Sequence, residues 1–182
     1  SSIASGTISH TQNRYVSTNG ADITQNITRK GIFLSATAEI AGESQTRTNG
    51  DVYTQDGANI FNLDTLKSEA HRIGIEAIEL AKAENCPSGE YDIILMPDQV
   101  YLQVHESIGH PLELDRILGD ERNYAGWSFV KPEDFGELQY GSSLLIITFD
   151  PTVVGEMASY AFDDLGAKAE RPHLIQEGKL LR

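Results

Sequence analysis

The sequence has a single cysteine, Cys86, among 182 residues. One thiol excludes an internal disulfide framework and fits a reducing compartment, so a cytoplasmic location is expected. Basic residues are scarce as well: 14 Lys and Arg stand against 27 Asp and Glu, a formal net charge of −13. Such a field repels phosphate backbones and excludes nucleic acid as a general partner, while it favours cations. No stretch approaches the roughly 20 apolar residues that span a bilayer, and the polar opening from Ser1 to Gly6 lacks the apolar core of a secretion signal. No membrane partner is therefore expected. Internal repeats, low-complexity tracts and heptads are also missing. Position 1 is not Met, and residues 174–182 read as a hairpin stopped within its return strand, so the sequence is expected to be a fragment.

What is present changes character along the chain. Residues 1 to about 60 are rich in Thr, Ser, Asn, Gly and Ile, with alternating runs at Arg14–Thr18 and Ile32–Ile40 that predict antiparallel strands. Asn19-Gly20 and Asn49-Gly50 suit tight hairpin turns, and Ala41-Gly42 can join two further strands. From Asp64 to Glu84 the period becomes three to four, with Leu66, Ala70, Ile73, Ala77, Leu80 and Ala81 on one stripe. This predicts a helix capped by Asp64 and ended by Asn85, Pro87 and Gly89. Tyr91–Met96 reads as a short buried strand, followed by a helix from Asp98, its cap, to about His110. Residues 119–143 read as a long loop, Leu144–Phe149 as another buried strand, and the end as a hairpin. The expected class is α+β: an antiparallel sheet with a packed helix over 1–86, then over 87–182 the start of a second α+β domain carrying the motif helix.

That motif is His105-Glu-Ser-Ile-Gly-His110. A zinc peptidase needs neutral imidazoles to hold the ion, an open position for water, and a carboxylate to take a proton from that water. His105 and His110 supply the imidazoles and Glu106 the base. In the common H-E-x-x-H helix the two histidines are four apart, about 40° around the axis. Five residues of ideal α-helix place them about 140° apart, so one ion demands a distorted helix. A π-bulge takes up the extra residue, and Gly109 is the expected place for it. Two histidines leave a third ligand open; Glu113, one turn past His110, and Asp115 are candidates for ligand or second-layer acceptor, with Cys86 and His173 more remote.

The stretch from His105 to Asp115 resembles the H-E-x-x-x-H signature of the TldD/PmbA family, in its TldD-like metallopeptidase branch. Pro87–Pro97 is similar to the strand that precedes this signature. Tyr140–Ser143, Asp163–Gly166 and His173–Leu181 are similar to later family segments, in the same order. The resemblance spans about 60 to 182 and is weaker before that. It implies a zinc-dependent peptidase for unfolded or short peptides, working as a homodimer or as a heterodimer with a related subunit. Residue by residue it makes His105 and His110 zinc ligands and Glu106 the catalytic acid and base. It also implies chain before Ser1 and past Arg182, with the third ligand a cysteine in the later part that Cys86 does not match. Leu165 stands where the family loop carries an acidic residue.

Plainer readings apply to other polar and aromatic residues. Cys86 beside Pro87 reads as a small buried filler at the helix end, His71 as the polar side of its helix, and His173 as part of a strand. Trp127 and Phe129 are expected to pack under the loop rather than line a peptide site. Arg116, Asp120, Glu121 and Arg122 read as a solvated charge run, and Asp163 and Asp164 as turn formers. The rival functions are a non-catalytic peptide- or partner-binding domain with an incomplete metal site, and a metal-storage module, in which Glu106 has no duty. An extended substrate adding to a free sheet edge would favour unfolded peptides.

Overall fold

Small and β-branched residues alternate through the first forty positions, and they form a long antiparallel hairpin. Strand β1 (Ser2–Val16) pairs with β2 (Asp22–Ile40) in unbroken register, from Ser2 opposite Ala36 to Val16 opposite Asp22. In this computed structural model, which describes residues 1–50, 52–55 and 59–182, the chain turns at Asn19-Gly20, but through a Ser17–Ala21 loop in which Gly20 and not Asn19 has positive φ, rather than the expected positive-φ pair. Gly20 has φ +94°, and the Asn19 Oδ1 accepts the Ala21 N–H at 3.1 Å. Ala41 and Gly42 both have positive φ, 53° and 90°, the pairing that matches strand twist, and lead into β3 (Glu43–Thr48).

Asn49-Gly50 does not make a hairpin. β3 and β4 (Val52–Thr54) both run antiparallel to β2 along its second edge. Between the pairs Ser35–Thr48 and Ile32–Val52 this edge holds one more residue than β2, which is a bulge. The reason lies in the Asn49 side chain, which stands in for backbone. Its Oδ1 accepts the Leu34 N–H at 2.7 Å while its own N–H donates to Leu34 O at 3.1 Å, and β2 thus keeps its bonds across the interruption.

Helix α1 (Leu63–Lys82) packs on β2 and β3. Of the expected stripe Ile73 and Ala77 are buried and Leu66 and Ala81 half-buried, whereas Ala70 and Leu80 are exposed; Ile32 and Leu34 are buried on one face of β2. The cap is Asn62 rather than Asp64: Asn62 has extended backbone, and its Oδ1 accepts the Thr65 N–H at 2.9 Å. Asp64 sits in the first turn, where a carboxylate favours the helix dipole. The opposite face of β2 is held by residues 150–170. Gln25 Oε1 accepts the N–H groups of Ala161 and Phe162, and its Nε2 donates to Phe162 O. These pieces form one compact unit, Ser1–Ser88 with Asp150–Glu170; Gly89–Phe149 with Arg171–Arg182 form the other.

The second unit gathers around Ile108, Val130, Ile175 and Leu180, all buried. Its sheet is short: β5 (Ile147–Thr148), β6 (His173–Gln176) and β7 (Lys179–Leu180), antiparallel in that order. The expected terminal hairpin is the β6–β7 pair, turned by Glu177 and Gly178 at φ 50° and 77°. Two expected buried strands are corrected. Tyr91–Met96 forms no strand, and its apolar side chains are exposed, Ile94 by 92%. A strand needs a ladder partner, and no described segment pairs with this run. Leu144–Phe149 shrinks to β5 because its beginning belongs to a turn: Leu145 N–H donates to Ser142 O, and Leu144 is exposed. The loop 119–143 is anchored by buried Val130 and by a single 3₁₀ turn at Pro132–Asp134. The architecture is α+β, and among the described residues no helix is long and apolar enough to cross a membrane.

Candidate metal centre

The motif lies on one helical stretch that changes pitch twice. Helix α2 (Pro97–Val104) starts with Pro97 in its first turn, where a missing N–H costs nothing, so the cap position falls to Met96 and Asp98 does not cap. His105–Gly109 is then a turn of π-helix, and His110–Leu112 a 3₁₀ turn before α3 (Leu114–Leu118). The His110 N–H donates to the His105 carbonyl, a bond across five residues. The required distortion is therefore present, and it occupies the whole interval between the two histidines.

Its cause is not Gly109. That residue has ordinary right-handed angles, φ −55° and ψ −65°, and a Cβ there would meet nothing nearer than Val104 O at 3.9 Å. The residue that forbids α-helix is Pro111. Its ring would collide with the carbonyl four positions back, that of Ser107, and it brings no N–H to that oxygen. The Ser107 carbonyl is met instead by the Tyr140 hydroxyl, which donates at 2.6 Å. Burial raises the Tyr140 pKa, which keeps the phenol a donor.

The widened turn brings side chains of His105, Glu106 and His110 together, with one ligand atom of each within 4.8 Å of the others. The imidazole centroids are 4.2 Å apart at 72°. Both Nε2 atoms face the Glu106 carboxylate at 3.9 Å. His105 and Glu106 are more than half exposed, whereas His110 is mostly covered. Two imidazoles and a carboxylate open to solvent fit a borderline-soft divalent cation such as zinc.

Glu113 approaches the opposite nitrogen of His110, with Oε1 3.0 Å from Nδ1. A carboxylate accepts there, so Nδ1 is the donor and Nε2 is the nitrogen left to face a cation. Burial works upward on the Glu113 pKa, but hydrogen bonds from His110 and Arg116 outweigh it and hold the carboxyl below its ordinary range. The Arg116 guanidinium bonds Glu113 Oε2 through Nε and donates from Nη1 to Ala125 O at 2.8 Å. Arg116 is thus not part of a solvated charge run; its side chain is 19% exposed.

The remaining candidates stand apart from this cluster. Asp115 accepts the Arg116 N–H at 2.8 Å, and His173 Nδ1 lies 3.2 Å from the Thr148 hydroxyl. Cys86, in the other compact unit, is not the buried filler expected but an exposed free thiol, because the chain around it forms no element that covers it. Asp163 forms the turn expected of it, its carboxylate accepting the Leu165 and Ala167 N–H groups. Trp127 and Phe129 do not pack under the loop: both are exposed, Trp127 beneath the Arg122 guanidinium at 4.8 Å and Phe129 beside Tyr140 at 5.5 Å. Sequence reading passed over Tyr140 as a site residue, although the Ser107–Pro111 spacing signalled a carbonyl in need of a donor.

Comparisons with known proteins show the family. Residues 88–182 match the family described as the PmbA/TldA metallopeptidase C-terminal domain. A metalloprotease of Methanocaldococcus jannaschii is 27% identical over 165 residues, 88% of this chain and 33% of that protein. One from Methanothermobacter thermautotrophicus is 30% identical over 166 residues, 91% of this chain and 34% of that protein. The chain therefore spans about a third of the length of these relatives. A crystal structure from Thermotoga maritima, provisionally described as a modulator of a DNA gyrase, shares the fold with a TM-score of 0.63 at 20% identity, covering 90% of this chain and 35% of that one. With the family domain covering residues 88–182, and the motif within it, this chain belongs to the PmbA/TldD metallopeptidase family.

Proposed function

We propose that this chain carries two zinc ligands, His105 and His110, and the general base, Glu106, of a peptidase that hydrolyses unfolded or short peptides. The observation that carries the reading is the π-turn, which turns a five-residue spacing into one converging set of donors. A bound zinc ion supplies Lewis-acid polarisation of the scissile carbonyl and of water. The chain's own residues do the rest. Glu106 lies beside both Nε2 atoms, takes the proton from the attacking water and returns it to the departing amine. Glu113, held by Arg116, orients the His110 ring and fixes its proton on Nδ1. Asp115 has no part in the cluster, and the family resemblance assigns the third ligand to a cysteine outside these residues. The reading also takes the enzyme as cytoplasmic, dimeric with a like or related subunit, and binding its peptide in extended form.

The test pairs metal analysis with hydrolysis of a short unstructured peptide. Zinc retained in Glu106→Gln with the rate reduced about 10²-fold or more, and zinc lost in His105→Ala, is the expected pattern. Wild-type protein that takes up no zinc would return the chain to the non-catalytic binding reading.

A further inference from the structure

We propose that Tyr140 is a positioning residue for the metal centre, acting through the Ser107 carbonyl to hold the π-turn that brings His105 and His110 together. The inference rests on the metallopeptidase reading for its purpose, but its structural part stands independently of metal. In an α-helix the Ser107 oxygen would receive the N–H of residue 111, and Pro111 has none. Ser107 is half-buried, and a carbonyl partly withdrawn from water loses hydration that only a protein donor replaces. Tyr140 comes from 33 residues along the chain and donates to it at 2.6 Å. Ser107 sits midway between the two histidines, so the hydroxyl pins the centre of the turn whose ends carry the ligands.

The far side of Tyr140 is equally fixed. Its N–H donates to Gly178 O at 2.7 Å, and the neighbouring Gly141 N–H donates to the same oxygen at 3.2 Å. Gly178 is the turn of the β6–β7 hairpin, and a Cβ there would fall 2.3 Å from Gly141 O and 2.5 Å from Ser142 O. Only glycine permits this approach and the φ of 77° together. The path therefore runs from the terminal hairpin through the Tyr140 backbone, ring and hydroxyl to the metal-bearing turn. The Tyr140 hydroxyl bonds a backbone carbonyl and not a side chain of the His105–Glu106–His110 set, which is why Tyr140 is proposed as a positioning and not a catalytic residue.

The experiment removes one oxygen. In Tyr140→Phe we expect amide exchange at Gly109 and His110 in metal-free protein to quicken about tenfold, and the dissociation constant for zinc alone to rise about tenfold or more. Ile147→Val, a conservative change in the same core, controls for general loosening. Pro111→Ala restores an N–H at position 111, so in that background Tyr140→Phe should leave exchange unchanged. Equal exchange in Tyr140→Phe and Ile147→Val, or the same penalty with and without Pro111, overturns the proposal. Should wild-type protein bind no zinc, the metal reading fails, and the exchange comparison still decides whether Tyr140 holds the turn.

Discussion

The two longest helical stretches of this chain obey different rules. Helix α1 keeps one pitch over twenty residues, is capped by Asn62, and buries Ile73 and Ala77 from a single stripe. The stretch from Pro97 to Leu112 changes from α to π to 3₁₀, has no side-chain cap, and buries only Ile108. The first draws its stability from packing on a sheet. The second leaves its most polar residues, His105 and Glu106, in solvent and fixes its shape with bonds from outside the helix, at Ser107 and His110. Regularity thus marks the helix that builds the fold, and its loss marks the helix that carries the candidate metal centre.

The largest expected effect on the regular helix comes from its packed face. Ile73 is 1% exposed, and Ile73→Ala removes methyl groups and leaves a cavity, for a loss of about 3 kcal/mol in denaturant unfolding. Zinc uptake should change far less than stability, since the residue lies in the other compact unit from the motif. A matching loss of metal affinity would show that the division of labour between the two helices is false.

This contrast explains which parts were legible in the sequence. Periodicity gives α1 because all its burial is against one neighbour, and Asn-Gly and Ala-Gly dipeptides give two turns. It misplaces Asn49-Gly50 because hairpin and bulge both want positive φ; the choice is made by the Asn49 amide on Leu34. It reads Tyr91–Met96 as buried because composition reports how apolar a strand is, not whether a partner covers it. At the site, His105, Glu106 and His110 were legible from chemistry and spacing, and so was the need for a widened turn. The distortion was expected at Gly109 because glycine signals backbone freedom, and the π-turn does include it, whereas the steric requirement sits at Pro111. Tyr140 was hidden because its bond joins residues 33 apart, a distance no local pattern reports.

A smaller effect separates the two helix starts. Asn62→Ala deletes a side-chain acceptor from the Thr65 N–H and should cost about 1 kcal/mol. Asp98→Ala deletes no cap bond and acts only through the helix dipole, so about 0.3 kcal/mol is expected. Equal costs in paired thermal melts would mean that the start of α2 is capped in solution as α1 is.

The smallest effect is electrostatic and belongs to the exposed side of α1. Hydrogen bonds from Arg72 first, and then from Arg47, hold the Glu76 carboxyl below its ordinary pKa. The carboxylate is therefore favoured more in the folded chain than in the unfolded one. The sign follows from that difference: the contribution is present above the unfolded carboxylate range, near pH 4.5, and fades as pH falls through the lower folded value. Glu76→Gln should flatten part of the acid limb of stability against pH and leave the neutral region nearly unchanged, because solvent screens these ion pairs. Added salt should shrink the difference between the two proteins. An acid limb that is identical in both would place the pH sensitivity elsewhere, and the Arg47–Glu76–Arg72 cluster would then be a solvated surface without a share in holding α1 to β3.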